Sequence, residues 1–462
     1  MNQARYPHLR LGAVLATAVL LGATAVATPA AATAPAPAHV EGTLPDGSTY
    51  LMDVPAHWNG TVLLFSHGYL PDGVPNAASV APSEAVRAAL LEQGYAQIGS
   101  SYPETGWALE GALPAQLATL DAFQARFGPP RRTIAWGMSL GGMVTTGLAE
   151  RNGRRFAGTL ALCGLEQGGV ANWNNTLDPL FAIRTLLAPG SSTPLVRLPD
   201  QASAFASIGA LTGALDAAQA TPAGRARIAL AAALHNLPAW TAPDQPEPAP
   251  GDYEAAELNQ YGVLHLTTYV GLSWRQEAEQ HAGGNMSWNV GVDYGRMLAR
   301  SANQAEVVAL YARAGISLRD DLAALAAAPR IGADPPAVRY LARNISFDGG
   351  LTRPMLTIHT TGDPLVPVQV EHAYADAVAD AGRTALLRQA FVHRAGHCTF
   401  TTGEILAALR SLEGRIDRGR WADTGPAALN RLASRLDPVA DPAYVDYRPA
   451  PYPRPFNLRP RR

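Results

Sequence analysis

The segment with the most specific chemistry is Gly137-Met138-Ser139-Leu140-Gly141. It follows a short β-branched and apolar run, Thr133 to Trp136, and leads directly into a helical pattern, Leu140 to Glu150. A serine between two glycines at a strand-to-helix junction describes a nucleophile elbow. The serine sits on a strained turn that lifts its hydroxyl above the sheet, and the glycines remove side chains that would collide there. The helix behind the turn places a positive dipole end near a developing oxyanion. Without that setting, G-x-S-x-G is an ordinary glycine-rich turn.

A serine hydroxyl is a weak nucleophile and needs a base held by a third group. Along a chain with this elbow the acid comes next and the histidine last. Met355 to Thr360 reads as a late strand, and Thr361-Gly362-Asp363-Pro364 follows it, so Asp363 is the expected acid. Its plainer reading is a turn aspartate capping a helix near Val366. Leu386 to Val392 reads as the last strand and runs into His393-Arg394-Ala395-Gly396-His397-Cys398. His393 still belongs to the strand pattern, whereas His397 follows a glycine in the loop, so His397 is the expected base. His359 falls inside an apolar strand and reads as a buried, hydrogen-bonded core residue. An oxyanion hole needs two backbone N–H donors. The residue after the serine, Leu140, offers one; Tyr69, in the loop His67-Gly68-Tyr69-Leu70 after the strand Thr61 to Ser66, offers the other.

These residues must be positioned by a sheet. Val40 to Leu44 and Ser48 to Val54 flank Pro45-Asp46-Gly47 as a hairpin, and further strands read at Tyr95 to Ser100 and Gly158 to Cys163. Helical patterns lie between, at Ser83 to Gln93, Ala115 to Phe127, Gln369 to Ala381 and Thr402 to Ile416. Strands alternating with helices predict an α/β fold with a mostly parallel central sheet covered by helices on both faces. The alternation stops over residues 170–350, which carry alanine- and leucine-rich helical patterns such as Arg225 to Leu234 and Gln304 to Ala314, broken by a proline-rich acidic stretch at 242–252. The expected organisation is therefore a core in two parts, 35–169 and 351–436, with a helical cap inserted over 170–350. A proline-rich tail, 437–462, reads as extended and partly disordered.

The first 34 residues have a separate character. Arg5 and Arg10 precede an uncharged run, Leu11 to Ala27, and small residues at Ala30 to Ala34 suit cleavage. This reads as a secretory signal peptide; the run is short and alanine-rich for a membrane span. Its removal takes two arginines and no acid, moving the formal charge from −2 to −4. The two cysteines, Cys163 and Cys398, are then expected in an oxidising compartment. Both should reach the catalytic edge of the sheet, which suggests a disulfide.

All 36 basic residues are arginines. The lack of lysine excludes Schiff-base chemistry, a Ser–Lys dyad and a P-loop lysine. The near-neutral charge marks no polyanionic partner, no basic nucleic-acid patch appears, and the eleven histidines are scattered. No metal-ligand spacing or dinucleotide-binding glycine pattern is present, and no cofactor is implied.

In order, the His-Gly loop, the elbow, the Gly-Asp-Pro turn and the Gly-His loop span Thr61 to Phe400. With these motifs the chain resembles the α/β-hydrolase superfamily, in particular secreted bacterial hydrolases of the esterase and lipase type; residues 170–350 match no cap of known kind. The resemblance implies a secreted serine hydrolase that cleaves small or medium carboxylic esters through an acyl-enzyme, without a stable membrane anchor. Secreted feruloyl esterases and tannases join cysteines beside the serine and the histidine. Here Cys398 adjoins His397 but Met138 precedes Ser139, so Cys163 would have to be the partner. Tyr102 and Trp107, after the strand Tyr95 to Ser100, and Trp288, in the glycine-rich segment 283–288, are candidate substrate-binding residues, each with plain packing as the alternative. Two other functions remain: a serine peptidase of the aminopeptidase type, which would need a site for a substrate amine or proline, and a catalytically dead binding relative.

Overall fold

The computed structural model describes residues 37–107 and 109–458. Nine strands form one sheet: β1 (Ala38–Thr43), β2 (Thr49–Val54), β3 (Thr61–Ser66), β4 (Ala96–Ser100), β5 (Arg132–Met138), β6 (Gly158–Leu162), β7 (Met355–Gly362), β8 (Leu387–Ala395) and β9 (Tyr444–Val445). Their spatial order is β1-β2-β4-β3-β5-β6-β7-β8-β9. From β4 to β8 all neighbours are parallel; β1, β2 and β9 run antiparallel at the two edges. Strands β3, β4 and β6 are buried along their whole length, as a sheet covered on both faces requires. This is the α/β-hydrolase fold, and the parallel strands all deliver their C-terminal ends to one edge.

The eight strands expected from the sequence are present, shifted at their ends by three residues or fewer. The helix Leu109–Phe127 starts six residues before the expected Ala115 because it passes through Pro114, which removes one donor without ending it. Helix Thr402–Arg418 opens with a reciprocal cap between Thr401 and Glu404.

The segment inserted between β6 and β7 is helical. Its main members are Gly169–Leu187, Gln201–Gln219, Pro222–His235, Tyr253–Tyr269, Arg275–Ala282, Gln304–Ala314 and Pro335–Ile345, with a π-helical turn at Val270–Trp274. Leu177, Leu180, Ile183, Leu211, Leu230 and Leu264 give it an apolar core of its own. The alanine-rich helix Pro222–His235 lies at the centre, where small side chains let its neighbours approach closely.

The tail differs from the expected loose extension. Tyr444–Val445 adds β9 to the edge of β8. Tyr452 is buried and donates its hydroxyl to the Ala171 carbonyl, and the Arg454 guanidinium pairs with the buried Asp178 at 3.0 Å. Prolines keep this stretch from forming a helix, but its aromatic and arginine side chains still find buried partners. Among the described residues no helix is long and apolar enough to cross a membrane. The N-terminal stretch read as a signal peptide lies outside the described residues.

Candidate active site

Ser139 sits at the turn between β5 and the helix Leu140–Arg151, with φ 58° and ψ −123°. A non-glycine residue holds that conformation only where its surroundings impose it. Here they do: a Cβ on Gly141 would lie 1.9 Å from the Ser66 carbonyl oxygen, and one on Gly137 would lie 2.3 Å from the Gly141 carbonyl oxygen. Both glycines are required by close packing at the turn.

His397 and Asp363 arrive on the loops after β8 and β7. The His397 Nε2 lies 2.8 Å from Ser139 Oγ, and its Nδ1 lies 2.7 Å from Asp363 Oδ2. With Nδ1–H donating to the carboxylate, Nε2 is free to accept the serine proton. Asp363 is fully buried. Burial pushes its carboxyl up, but the His397 charge and hydrogen bonds from His359 and His397 outweigh this and hold it at about 2. Its other oxygen, Oδ1, accepts the N–H groups of Leu365 and Val366 at 2.9 and 2.8 Å. The turn-capping and base-orienting readings of Asp363 are thus both satisfied, one by each oxygen.

Behind Asp363 lies a closed polar network. His359 Nε2 faces the Val366 carbonyl at 2.9 Å and Asp363 Oδ2 at 3.5 Å, and its Nδ1 faces Glu371 Oε1 at 3.3 Å. Acceptors on both nitrogens favour the imidazolium. Burial works against that charge, but Asp363 and Glu371 raise the pKa well above its usual value. Glu166, His359 and Glu371 bring donor atoms within 4.8 Å of one another. Both His359 nitrogens already face protein acceptors, so His359 and Glu371 form the hydrogen-bonded support behind the Asp363 turn, with Glu166 packed beside them. Burial, reinforced by the nearby Glu371 charge, pushes the Glu166 carboxyl above the usual carboxylate range.

The oxyanion side is built by the loop after β3. A Cβ on Gly68 would lie 3.5 Å from Ser139 Cβ, so this loop runs alongside the serine. His67 pins it through Nδ1 to the Gly68 carbonyl at 2.7 Å and Nε2 to the Ser101 carbonyl at 3.1 Å. Leu140 is the first residue of its helix, and its N–H has no acceptor four residues back. Tyr69 follows Gly68 on the loop after β3.

A pocket with about 510 Å³ of empty space, including its open mouth, contains Ser139. Tyr69, Trp107, Trp274, Leu165 and Leu365 line one part; Asn172, Thr176, His235 and Thr267, all from the insertion, supply polar groups. Tyr69 and Trp274 stack with ring centroids 4.0 Å apart. His235 is buried, and burial lowers its pKa to about 4, so it presents a neutral imidazole.

Of the three aromatic candidates, Trp107 lines the pocket and the other two do not. Tyr102 is buried beneath the oxyanion loop: it stacks on His67 at 4.0 Å and donates its hydroxyl to the His67 carbonyl at 3.1 Å. Its φ of 61° places it in the left-handed region, which non-glycine residues rarely adopt. Trp288 packs against the tail, edge-on to Phe456 and under the Arg454 guanidinium. The segment that carries it is occupied structurally, since fully buried Arg275 bonds Ser287 Oγ and the Trp173 carbonyl. Cys163 and Cys398 are joined in a disulfide with a Cα separation of 5.5 Å. This tethers the loop after β6 to the residue after His397.

No model of a known protein family matches the chain. Over 420 residues, 85% of this chain and 90% of the relative, it is 33% identical to the o-phthalyl amidase of Xanthobacter agilis. The chain belongs to the family of that amidase, within the α/β-hydrolase superfamily. Similar solved structures include an acylaminoacyl peptidase of Pyrococcus horikoshii (10% identity, 83% of this chain, 40% of that chain, TM-score 0.35) and a thermostable carboxyl esterase of Bacillus coagulans (11% identity, 83% of this chain, 97% of that chain, TM-score 0.38). The chain spans less than half the length of the peptidase.

For this hydrolase, the residues that sequence reasoning missed are Trp274 and the polar group Asn172, Thr176, His235 and Thr267. Asn172 and Thr176 share the helix Gly169–Leu187, but His235, Thr267 and Trp274 come from other parts of the insertion and meet them only in space. The one local signal is the spacing of Asn172 and Thr176, four apart and so on one helix face.

Proposed function

We propose that the protein hydrolyses carboxylic amides and esters that carry an aromatic acyl group, through an acyl-enzyme on Ser139. The observation that carries this reading is His397, set between Ser139 Oγ and Asp363 Oδ2 at hydrogen-bond distance from each. Ser139 attacks the carbonyl while His397 takes its proton, and Leu140 and Tyr69 N–H groups stabilise the tetrahedral oxyanion. His397 then protonates the departing amine or alcohol, and water repeats the cycle in reverse order. Asp363 holds the imidazole in the required tautomer and stabilises its charged form.

The aromatic walls of the pocket favour a flat acyl group. The related enzyme is an o-phthalyl amidase, and this supports an aromatic acid joined to an amine. An ester remains a second reading because the same machinery cleaves it, with a better leaving group. The polar groups that the insertion supplies beside Ser139 are Asn172, Thr176, His235 and Thr267. Export by the N-terminal segment is part of the proposal. It is supported by the arginine-led apolar run and by a disulfide of the kind that persists in oxidising compartments.

The test is a hydrolysis panel with matched amides and esters of benzoic, phthalic and straight-chain acids, each run with wild type and Ser139→Ala. The proposal expects turnover of the aromatic acids and none by the variant. Turnover confined to straight-chain acids would refute the acyl assignment; activity in Ser139→Ala would refute the nucleophile.

A further inference from the structure

We propose that Glu277, on the insertion's helix Arg275–Ala282, is a positioning residue that fixes the oxyanion loop from outside the catalytic core. The proposal rests on the reading that Ser139 is the nucleophile and that Tyr69 supplies an oxyanion N–H. Glu277 Oε2 accepts the Tyr69 hydroxyl at 2.6 Å, and Oε1 accepts the Trp107 backbone N–H at 2.9 Å. One carboxylate thus joins two different core loops, those after β3 and β4, to the insertion. The loops are also joined to each other, since Gly106 N–H donates to the Leu70 carbonyl at 2.6 Å.

The Tyr69 ring is held at two points, its hydroxyl by Glu277 and its face by Trp274. A ring fixed in this way fixes the backbone that carries it, and that backbone includes the N–H aimed at the oxyanion. The fit at Glu277 is built into the neighbouring chain. Gly106 has φ 74°, and a Cβ there would lie 1.2 Å from Glu277 Oε1. Only a residue without a side chain leaves room for the carboxylate. Glu277 is 3% exposed; burial raises its carboxyl pKa, and the two donors counter only part of that rise. Without them a buried carboxylate has no reason to be there.

An oxyanion donor contributes about 10²- to 10³-fold to kcat, and a misplacement of about 1 Å can cost 10²-fold. Glu277→Ala should therefore lower kcat about 10- to 100-fold. KM for the best substrate of the panel should stay within a few-fold, because the pocket walls remain. Affinity for an aryl boronic acid, which forms the tetrahedral adduct, should fall in parallel with kcat. Tyr69→Phe, which removes only the hydroxyl, should give a smaller loss in the same direction. The double variant should lose less than the product of the two single effects.

All rates are taken per active site, titrated with a fluorophosphonate. A merely structural role would lower the titrated fraction and leave kcat per site unchanged, which would overturn the proposal. So would unchanged boronic-acid affinity in both Glu277→Ala and Tyr69→Phe. If Glu277→Ala fails to fold, Tyr69→Phe and Glu277→Gln carry the test. Glu277→Gln keeps one acceptor and should fall between wild type and Ala. Activity in a parallel Ser139→Ala control would instead refute the underlying reading of the nucleophile.

Discussion

The disulfide offers a prediction whose size follows from topology. Cys163 follows β6 and Cys398 follows His397; their sequence separation is 235, spanning the whole insertion, β7 and β8. Cross-linking a loop of that length removes about 18 cal/mol/K from the unfolded chain in the entropic treatment, or about 5 kcal/mol at 25 °C. The bond also acts locally. Cys398 Sγ lies 3.3 Å from His397 Nε2, and both cysteines have positive φ, at 43° and 57°, so each holds its loop in a conformation that non-glycine residues rarely adopt. Cys163→Ala/Cys398→Ala should therefore unfold at markedly lower guanidinium concentration, with a stability loss of about 5 kcal/mol. Activity should fall at temperatures where the double variant is still folded, because the His397 loop loses its tether. Guanidinium unfolding of oxidised wild type and double variant, paired with kcat per titrated site, measures both effects. A variant within about 1 kcal/mol of wild type, with unchanged kcat, would refute both the loop-entropy argument and the tether.

His397→Ala should lower kcat by several orders of magnitude, as loss of a catalytic base does, whereas His393→Ala should leave kcat unchanged and cost less than about 1 kcal/mol. His393 is half-exposed and faces the similarly exposed Glu247 at 3.0 Å and Thr361 Oγ1 at 3.3 Å; steady-state kinetics on both variants would show a reversed order if the loop assignment were wrong. His235 gives a pH dependence. Burial lowers its pKa to about 4, below the ordinary 6.5, so as pH falls the unfolded chain takes up the proton first. Stability should drop by about 3 kcal/mol between pH 6.5 and pH 4 from this residue alone. Denaturant midpoints at pH 7 and pH 4.5 should therefore converge more for His235→Asn than for wild type; equal losses in the two proteins would contradict it.

The sheet was legible because its strands are short apolar runs bounded by turn residues, and its motifs follow in a fixed order along the chain. Ser139, Asp363 and His397 could be read because each sits at a strand end whose neighbours, Gly141, Gly362 and Gly396, mark a turn. The insertion was legible as helical but silent about the pocket. Trp274, at the end of a short π-helical turn, and His235, at the end of an alanine-rich helix, look like any aromatic and any histidine until three-dimensional packing brings them together. Tyr102 and Trp288 show the opposite failure. Each stands in a glycine- or proline-flanked segment that resembles a binding loop, yet each fills a structural gap, one under His67 and the other against the tail. In the tail, proline content signalled the extension that the backbone has over 446–458 but said nothing of whether Tyr452 and Arg454 would find buried partners.

The central claim is that Ser139 is the acylated residue. Treating the protein with a fluorophosphonate and mapping the adduct by peptide mass spectrometry tests it most directly. The account predicts one adduct per chain, on the peptide that contains Ser139, and none in Ser139→Ala. An adduct on another residue, or labelling that persists in the variant, would contradict it.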